Sequence, residues 1–149
     1  MSAIATLAES PQLIKDVFLT QTKNNVGIYG FRFFIRGKPW VVTIDDSLLY
    51  SKPGENYLPL LKFAQPNTDN TAIWGPLLEK AWAKIKGSYN TADGGFVETG
   101  LRSLIGVPVF SYKVSNNANI AAANTAWQLL KDSETAGYFM GAGTDGGSD

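Results

Sequence analysis

Apolar residues recur every three to four positions through Ile73, Trp74, Leu77, Leu78, Ala81, Trp82 and Ile85, the period that gathers them on one face of a helix. Glu79, Lys80, Lys84 and Lys86 fall outside that stripe and are expected to face water. Pro76 is tolerated only in a first turn, so the helix should begin near Ile73 or Trp74, and Gly87 is placed to end it. A second helix is expected from Gly95 or Phe96, with Val97, Leu101, Leu104 and Ile105 inward, an i,i+4 pair of Glu98 and Arg102 on the wet side, and Gly106 as its stop. A polar turn, Ser88 to Gly95, joins the two. Its glycine pair, Gly94 and Gly95, has two physical readings: a tight turn needing positive φ, or a place where a ligand's backbone approaches this backbone closely.

Period two replaces period three to four between Gly27 and Tyr50. Tyr29, Phe31, Phe33 and Ile35 alternate with Ile28, Gly30, Arg32 and Phe34, and after a short turn at Gly37 the set Trp40, Val42 and Ile44 alternates with Val41 and Thr43. That pattern predicts an antiparallel hairpin. Asp45-Asp46 at its end reads as strand termination and solvation rather than a metal site. Upstream, residues 2–9 suggest a short, almost wholly buried helix, and Ser10-Pro11 suggests the cap and first position of another that buries Leu13, Ile14, Val17 and Phe18. Residues 50–70, with Pro53, Gly54, Pro59 and Pro66, form a long connection with at most a short strand around Leu60 to Phe63. Toward the end come a short strand over Val107 to Tyr112, a loop or cap region over Asn116 to Asn124, a helix through Ala126, Trp127, Leu129 and Leu130, and a strand at Tyr138 to Met140. The fold class expected from this order is α+β.

Composition narrows the chemistry. The 149 residues suffice for about one domain, and 44% hydrophobic with 17% charged residues is the make-up of a soluble globular protein. Basic and acidic residues balance at 13 each, so no net field draws the chain to nucleic acid or an anionic membrane. The N-terminal residues carry no basic n-region, and no apolar run approaches the roughly 20 residues of a transmembrane segment; a cytoplasmic protein is expected. The chain contains neither cysteine nor histidine, so no disulfide, no thiolate nucleophile and no Ser-His-Asp or Cys-His arrangement can be built from it alone. Gly141 to Gly146 fits G-x-G-x-x-G, but no helix or ribose-binding acid follows it, so a nucleotide site is a weak reading.

Three stretches together resemble the catalytic core of the calpain family of cysteine proteases. Leu77-Leu78-Glu79-Lys80-Ala81, Ala83-Lys84, Gly87, Ser88-Tyr89 and Gly94-Gly95 follow the family's LLEKAxAKxxGxY…GG pattern. The hairpin, GIYGFRFFIRGKPWVVTIDDSLL, is similar to the family's G-x-Y/F-x-F…W-V-x-V-x-I/V-D-D-x-L, and residues 137–149 look like the start of that core's second lobe. The resemblance implies a partial papain-like core: a first helical lobe with the hairpin over about residues 1–114, and the start of a second lobe over 115–149.

It implies further that residues 2–9 follow the nucleophile on the central helix. The cysteine would then lie about three residues before Met1, where helix N–H groups and dipole stabilise a thiolate, and the histidine and asparagine beyond Asp149. The function implied is that of an intracellular cysteine endopeptidase acting on protein or peptide substrates, with the chain alone inactive and dependent on the remaining half of the core. A non-catalytic calpain-like interaction module is the alternative. Gly94 and Gly95 match the glycine pair that hydrogen-bonds the substrate's main chain. Calcium is the family's switch, but Ala72 stands where the family has an acidic ligand, and Asp69 is near without matching, so a site here is not expected.

Overall fold

A computed structural model describes residues 2–51, 61, 64–65, 72–92, 95–113 and 120–142. The order is α1 (Ser2–Leu7), α2 (Pro11–Val17), β1 (Ile28–Ile35), β2 (Lys38–Asp45), α3 (Trp74–Lys86), α4 (Tyr89–Ala92), α5 (Val97–Ile105) and α6 (Ile120–Thr135). The class is α+β, helices around a two-stranded antiparallel sheet.

The hairpin forms because its alternation is matched across the ladder. Phe31 faces Val42 and Tyr29 faces Ile44, and Tyr29, Phe31, Phe33, Val42 and Ile44 are all buried. Each fully buried phenylalanine contributes about 1.5–3 kcal/mol by leaving water. Phe31 packs against Phe18 with ring centroids 4.5 Å apart, and Phe33 against Trp82 of α3 at 6.1 Å. Ile35 and Trp40 share the inward face by register but remain exposed, because they flank the turn at the hairpin's tip. That turn, Arg36-Gly37, has φ of 52° and 76°, the positive values a tight hairpin of type I′ requires.

β1 is covered along both edges. On the side away from β2, Leu19 N–H donates to Gly30 O at 2.9 Å and Gly30 N–H to Thr20 Oγ1 at 3.1 Å. The free edge of β2 is blunted by α3: Lys84 Nζ donates to Thr43 O at 2.6 Å and Lys80 Nζ to Asp45 O at 3.1 Å, while Pro39 on the same strand has no N–H to offer.

The helices follow their stripes. Leu77, Leu78 and Ala81 of α3 and Leu101 and Leu104 of α5 enter one core with Ile4, Leu7 and Val17, while Trp82 and Ile85 pack partly buried at its margin. Gly87 and Gly106 close α3 and α5 in the left-handed conformation. Ser10 precedes α2 with extended backbone, yet its side chain makes no cap bond; its carbonyl instead accepts from Leu13 and Ile14 N–H at 3.0 and 3.4 Å.

Several expectations are corrected. Val107 to Tyr112 is not a strand: Pro108 breaks the donor series, no partner strand lies beside it among the described residues, and Phe110 is 93% exposed. Tyr138 to Met140 likewise has no ladder partner and is not a strand. The loop expected through Asn124 gives way to helix from Ile120, because Ala121 to Ala123 are strong helix formers that carry α6 upstream. Arg102 donates to Val109 O at 3.1 Å rather than pairing with Glu98. Of the expected Leu60 to Phe63 strand only Leu61 is described, in a single bridge to Tyr50.

Candidate functional site

The approach to Gly95 is built from the end of α3. After Gly87 (φ 95°), Ser88 and Thr91 cap each other: Thr91 N–H donates to Ser88 Oγ at 3.1 Å and Ser88 N–H to Thr91 Oγ1 at 3.1 Å. The Thr91 hydroxyl also donates to Lys86 O at 2.8 Å, which folds α4, a short helix inside the expected polar turn, back onto the end of α3. The chain thus reaches the glycine pair from a pinned position. Gly94 and Asp93 lie outside the described residues.

Gly95 has φ of 129°, a conformation that side chains rarely adopt, and a Cβ built on it would meet nothing within 4 Å. The glycine is therefore explained by its own backbone, and beyond it lies open space. Phe96 follows as the N-cap of α5, exposed, its carbonyl accepting from Thr99 and Gly100 N–H at 3.0 and 3.3 Å. This gives an accessible main chain at Gly95, at the mouth of a helix whose far face is core.

A second cluster lies between β2 and α3, around an open groove of about 260 Å³ lined in part by Asp45, Lys80, Lys84, Ser88 and Tyr89. Lys80 Nζ donates to Asp45 Oδ1 at 2.8 Å, to Asp45 O at 3.1 Å and to Ser47 O at 2.5 Å, so its three donors are all used. Hydrogen bonds from Lys80 and then from Ser47 hold the Asp45 carboxyl well below the usual carboxylate range. Burial, with the Glu79 and Asp45 carboxylates adding to it, raises the Tyr89 phenol above its ordinary value. Neighbouring Glu79 accepts from Ala64 N–H through Oε2 at 2.7 Å. The cluster holds the hairpin and the connection at residue 64 against α3; it contains no nucleophile beside a base.

The sequence pattern places Glu79, Lys80 and Lys84 toward water, yet each is also hydrogen-bonded to a distant part of the chain. The signal was present: Lys80 and Lys84 are one turn apart and border Leu77 and Ala81, so their stems run along the apolar stripe and their heads reach the adjoining strand edge. Ala72 lies just before α3 with a methyl group, and Asp69 falls outside the described residues. Residues 143–149, which include the last part of the glycine-rich run from Gly141 to Gly146, also fall outside them. Among the described residues no three His, Cys, Asp or Glu side chains gather closely enough to share a metal ion.

Comparison with known proteins covers this whole arrangement. The chain is 35% identical over 151 residues to the calpain-type cysteine protease ADL1 of Oryza sativa subsp. japonica, an alignment covering 100% of this chain and 7% of that protein. It is 36% identical over 152 residues to the calpain-type cysteine protease DEK1 of Arabidopsis thaliana, again 100% of this chain and 7% of the relative. Against the human calpain-2 catalytic subunit the identity is 34% over 109 residues, 71% of this chain and 15% of that protein. The chain thus spans about 7% of the length of the plant relatives. Because the calpain cysteine protease family matches over residues 1–148, from α1 through the hairpin and both flanks of Gly95, the chain belongs to the calpain family of cysteine proteases and forms part of its protease domain.

Proposed function

We propose that this chain forms the non-primed wall of the substrate cleft in a calpain-type cysteine endopeptidase, with the nucleophile and its base supplied by flanking sequence. The observation that carries the reading is Gly95: an accessible main chain with φ of 129° and open space where a side chain would stand, in a chain of this family. An extended peptide can lie against such a backbone and exchange N–H···O=C bonds with it, as an added strand does at a sheet edge. In this proposal about residues 1–114 belong to the first lobe and 115–149 begin the second, and the protein works in the cytoplasm.

The chemistry assigned to the complete enzyme divides the work. A cysteine thiolate preceding α1 adds to the scissile carbonyl, a histidine gives its proton to the departing amine and then takes one from water, and the thioester is hydrolysed. The chain supplies none of these groups, since it has no Cys and no His. Its part is registration: bonds to Gly94 and Gly95 fix the substrate so that the scissile carbonyl meets the thiolate, and such positioning is a large share of enzymatic rate.

Calcium is the family's switch in this reading, acting on the relative placement of two lobes rather than as a reagent. The donors described here do not fit it: Ala72 brings a methyl group where an acidic ligand is expected, and no acidic cluster surrounds it among the described residues.

The test is a fluorogenic peptide assay on the full-length protein and on the 149-residue chain, with and without calcium and reductant. The full-length protein should cleave the peptide and lose that activity to a thiol alkylator, while the chain alone should not. A full-length protein that binds peptides without turnover would identify the non-catalytic module instead. Turnover resistant to the alkylator would rule out a thiolate mechanism.

A further inference from the structure

Two glycines near the end of the described chain need glycine for different reasons. Gly137 has φ of 72° and open space around it, so its backbone alone accounts for it. Gly141 has no left-handed φ, so its φ does not call for glycine. Its restriction is space: a Cβ there would lie 2.6 Å from Val97 Cγ1 and 3.7 Å from Thr6 Oγ1. The first distance is about 1 Å inside ordinary carbon–carbon contact. Thr6 is a buried residue of α1, and Val97 opens α5 two residues after Gly95. The main chain at Gly141, itself exposed, therefore lies hard against the first residue of α5, two residues after the proposed substrate-binding glycine, and at ordinary contact distance from α1, the helix that follows the proposed nucleophile.

We propose that Gly141 is a positioning residue for the cleft: its missing side chain lets α5 sit close enough to α1 to hold Gly95 in register with the scissile bond. The proposal rests on the reading of Gly95 given above. Valine is β-branched and stiff about χ1 in a helix, so Val97 cannot swing away cheaply and the added methyl group presses on the first turn of α5. Phe96 moves with it, because its carbonyl is bonded to Thr99 and Gly100 N–H, and Gly95 is its neighbour in the chain. A displacement of a fraction of an ångström is enough to misalign hydrogen bonds to an extended substrate while leaving the core of α5, at Leu101 and Leu104, in place.

The experiment uses the full-length protein and two fluorogenic peptides with the same leaving group after the scissile bond, one with a single residue before that bond and one extended across the non-primed side. The gain in kcat/KM on lengthening the peptide reports the contact at Gly95. Gly141→Ala should cut kcat/KM for the long peptide about tenfold and leave the short one within about twofold; adding Val97→Ala, which removes the obstructing methyl, should restore most of the gain. Equal losses on both peptides, or a loss that Val97→Ala does not relieve, would overturn the proposal and make Gly141 an ordinary packing residue. Gly95→Val separates the two readings. If it leaves the gain intact, the reading of Gly95 fails; if it abolishes the gain and Gly141→Ala does not, the positioning role alone falls. A wild-type protein without turnover overturns both.

Discussion

Replacement of Gly95 separates conformational need from substrate contact, because the structure assigns the two effects different sizes. With φ of 129°, any L-residue at this position enters a sparsely populated region, at a cost of roughly 1–3 kcal/mol. With nothing within 4 Å of the added Cβ, there is no clash to add. Alanine and valine should therefore both destabilise the 149-residue chain, valine somewhat more because a β-branched residue suits positive φ poorly, lowering Tm by about 2–4 °C for each kcal/mol in a domain of this size. Activity should not track stability. The added group points into the open space where the substrate is proposed to lie, so its bulk matters most there. Gly95→Val should lose at least one substrate hydrogen bond, worth about 0.5–1.5 kcal/mol, and displace the scissile carbonyl as well. Together these predict a fall in kcat/KM of about tenfold or more in the full-length protein, with Gly95→Ala clearly less affected. The measurements are thermal melts of both variants and kcat/KM on an extended peptide. If activity falls in step with Tm for alanine and valine alike, or not at all, Gly95 is a turn residue and the substrate contact is refuted.

Asp45→Asn removes the carboxylate that pairs with Lys80, and because folding lowers the Asp45 pKa, the stabilisation is whole above its ordinary value of 3.8 and is lost as pH falls below it. The Tm gap between wild type and Asp45→Asn should be positive at pH 6, smaller at pH 3, and smaller again in high salt, since Asp45 is 60% exposed; a gap that widens on acidification would contradict the pairing. Gly106→Ala should destabilise more than Gly87→Ala, although both have positive φ, because its Cβ would lie 2.7 Å from the Phe34 ring while that of Gly87 meets nothing. Equal Tm losses would show that the ring yields without cost. Arg36→Asn should raise stability by about 0.5–1 kcal/mol, since asparagine tolerates the positive φ of this turn better than arginine; denaturant titration checks it, and a lower midpoint would mean that Arg36 contributes contacts worth more than its strain.

What was legible in the sequence was local and periodic. The β1–β2 hairpin, the stripes of α3 and α5, and the glycine stops at Gly87 and Gly106 follow from residue spacing alone. The expected strands at Val107 to Tyr112 and Tyr138 to Met140 failed because a strand exists only with a neighbour, and β-forming residues do not encode whether one is present. The roles of Glu79, Lys80 and Lys84 were hidden for a related reason. Their hydrogen-bond partners, at Thr43, Asp45, Ser47 and Ala64, are 15 to 41 residues away in the chain. For the site, the composition disclosed that catalytic groups are missing and the resemblance pointed to the glycine pair. The positive φ of Gly95 and the close approach of Gly141 to Val97 arise only in the folded structure.

The most direct measurement is a structure of the full-length protein trapped with a peptide inhibitor that bonds covalently to the active-site thiol. The account predicts an extended inhibitor backbone within hydrogen-bonding distance, about 2.7–3.2 Å, of the Gly95 main chain, running over the open space beside its Cα. An inhibitor bound to the thiol whose backbone passes elsewhere, leaving Gly95 in contact with solvent alone, would contradict it.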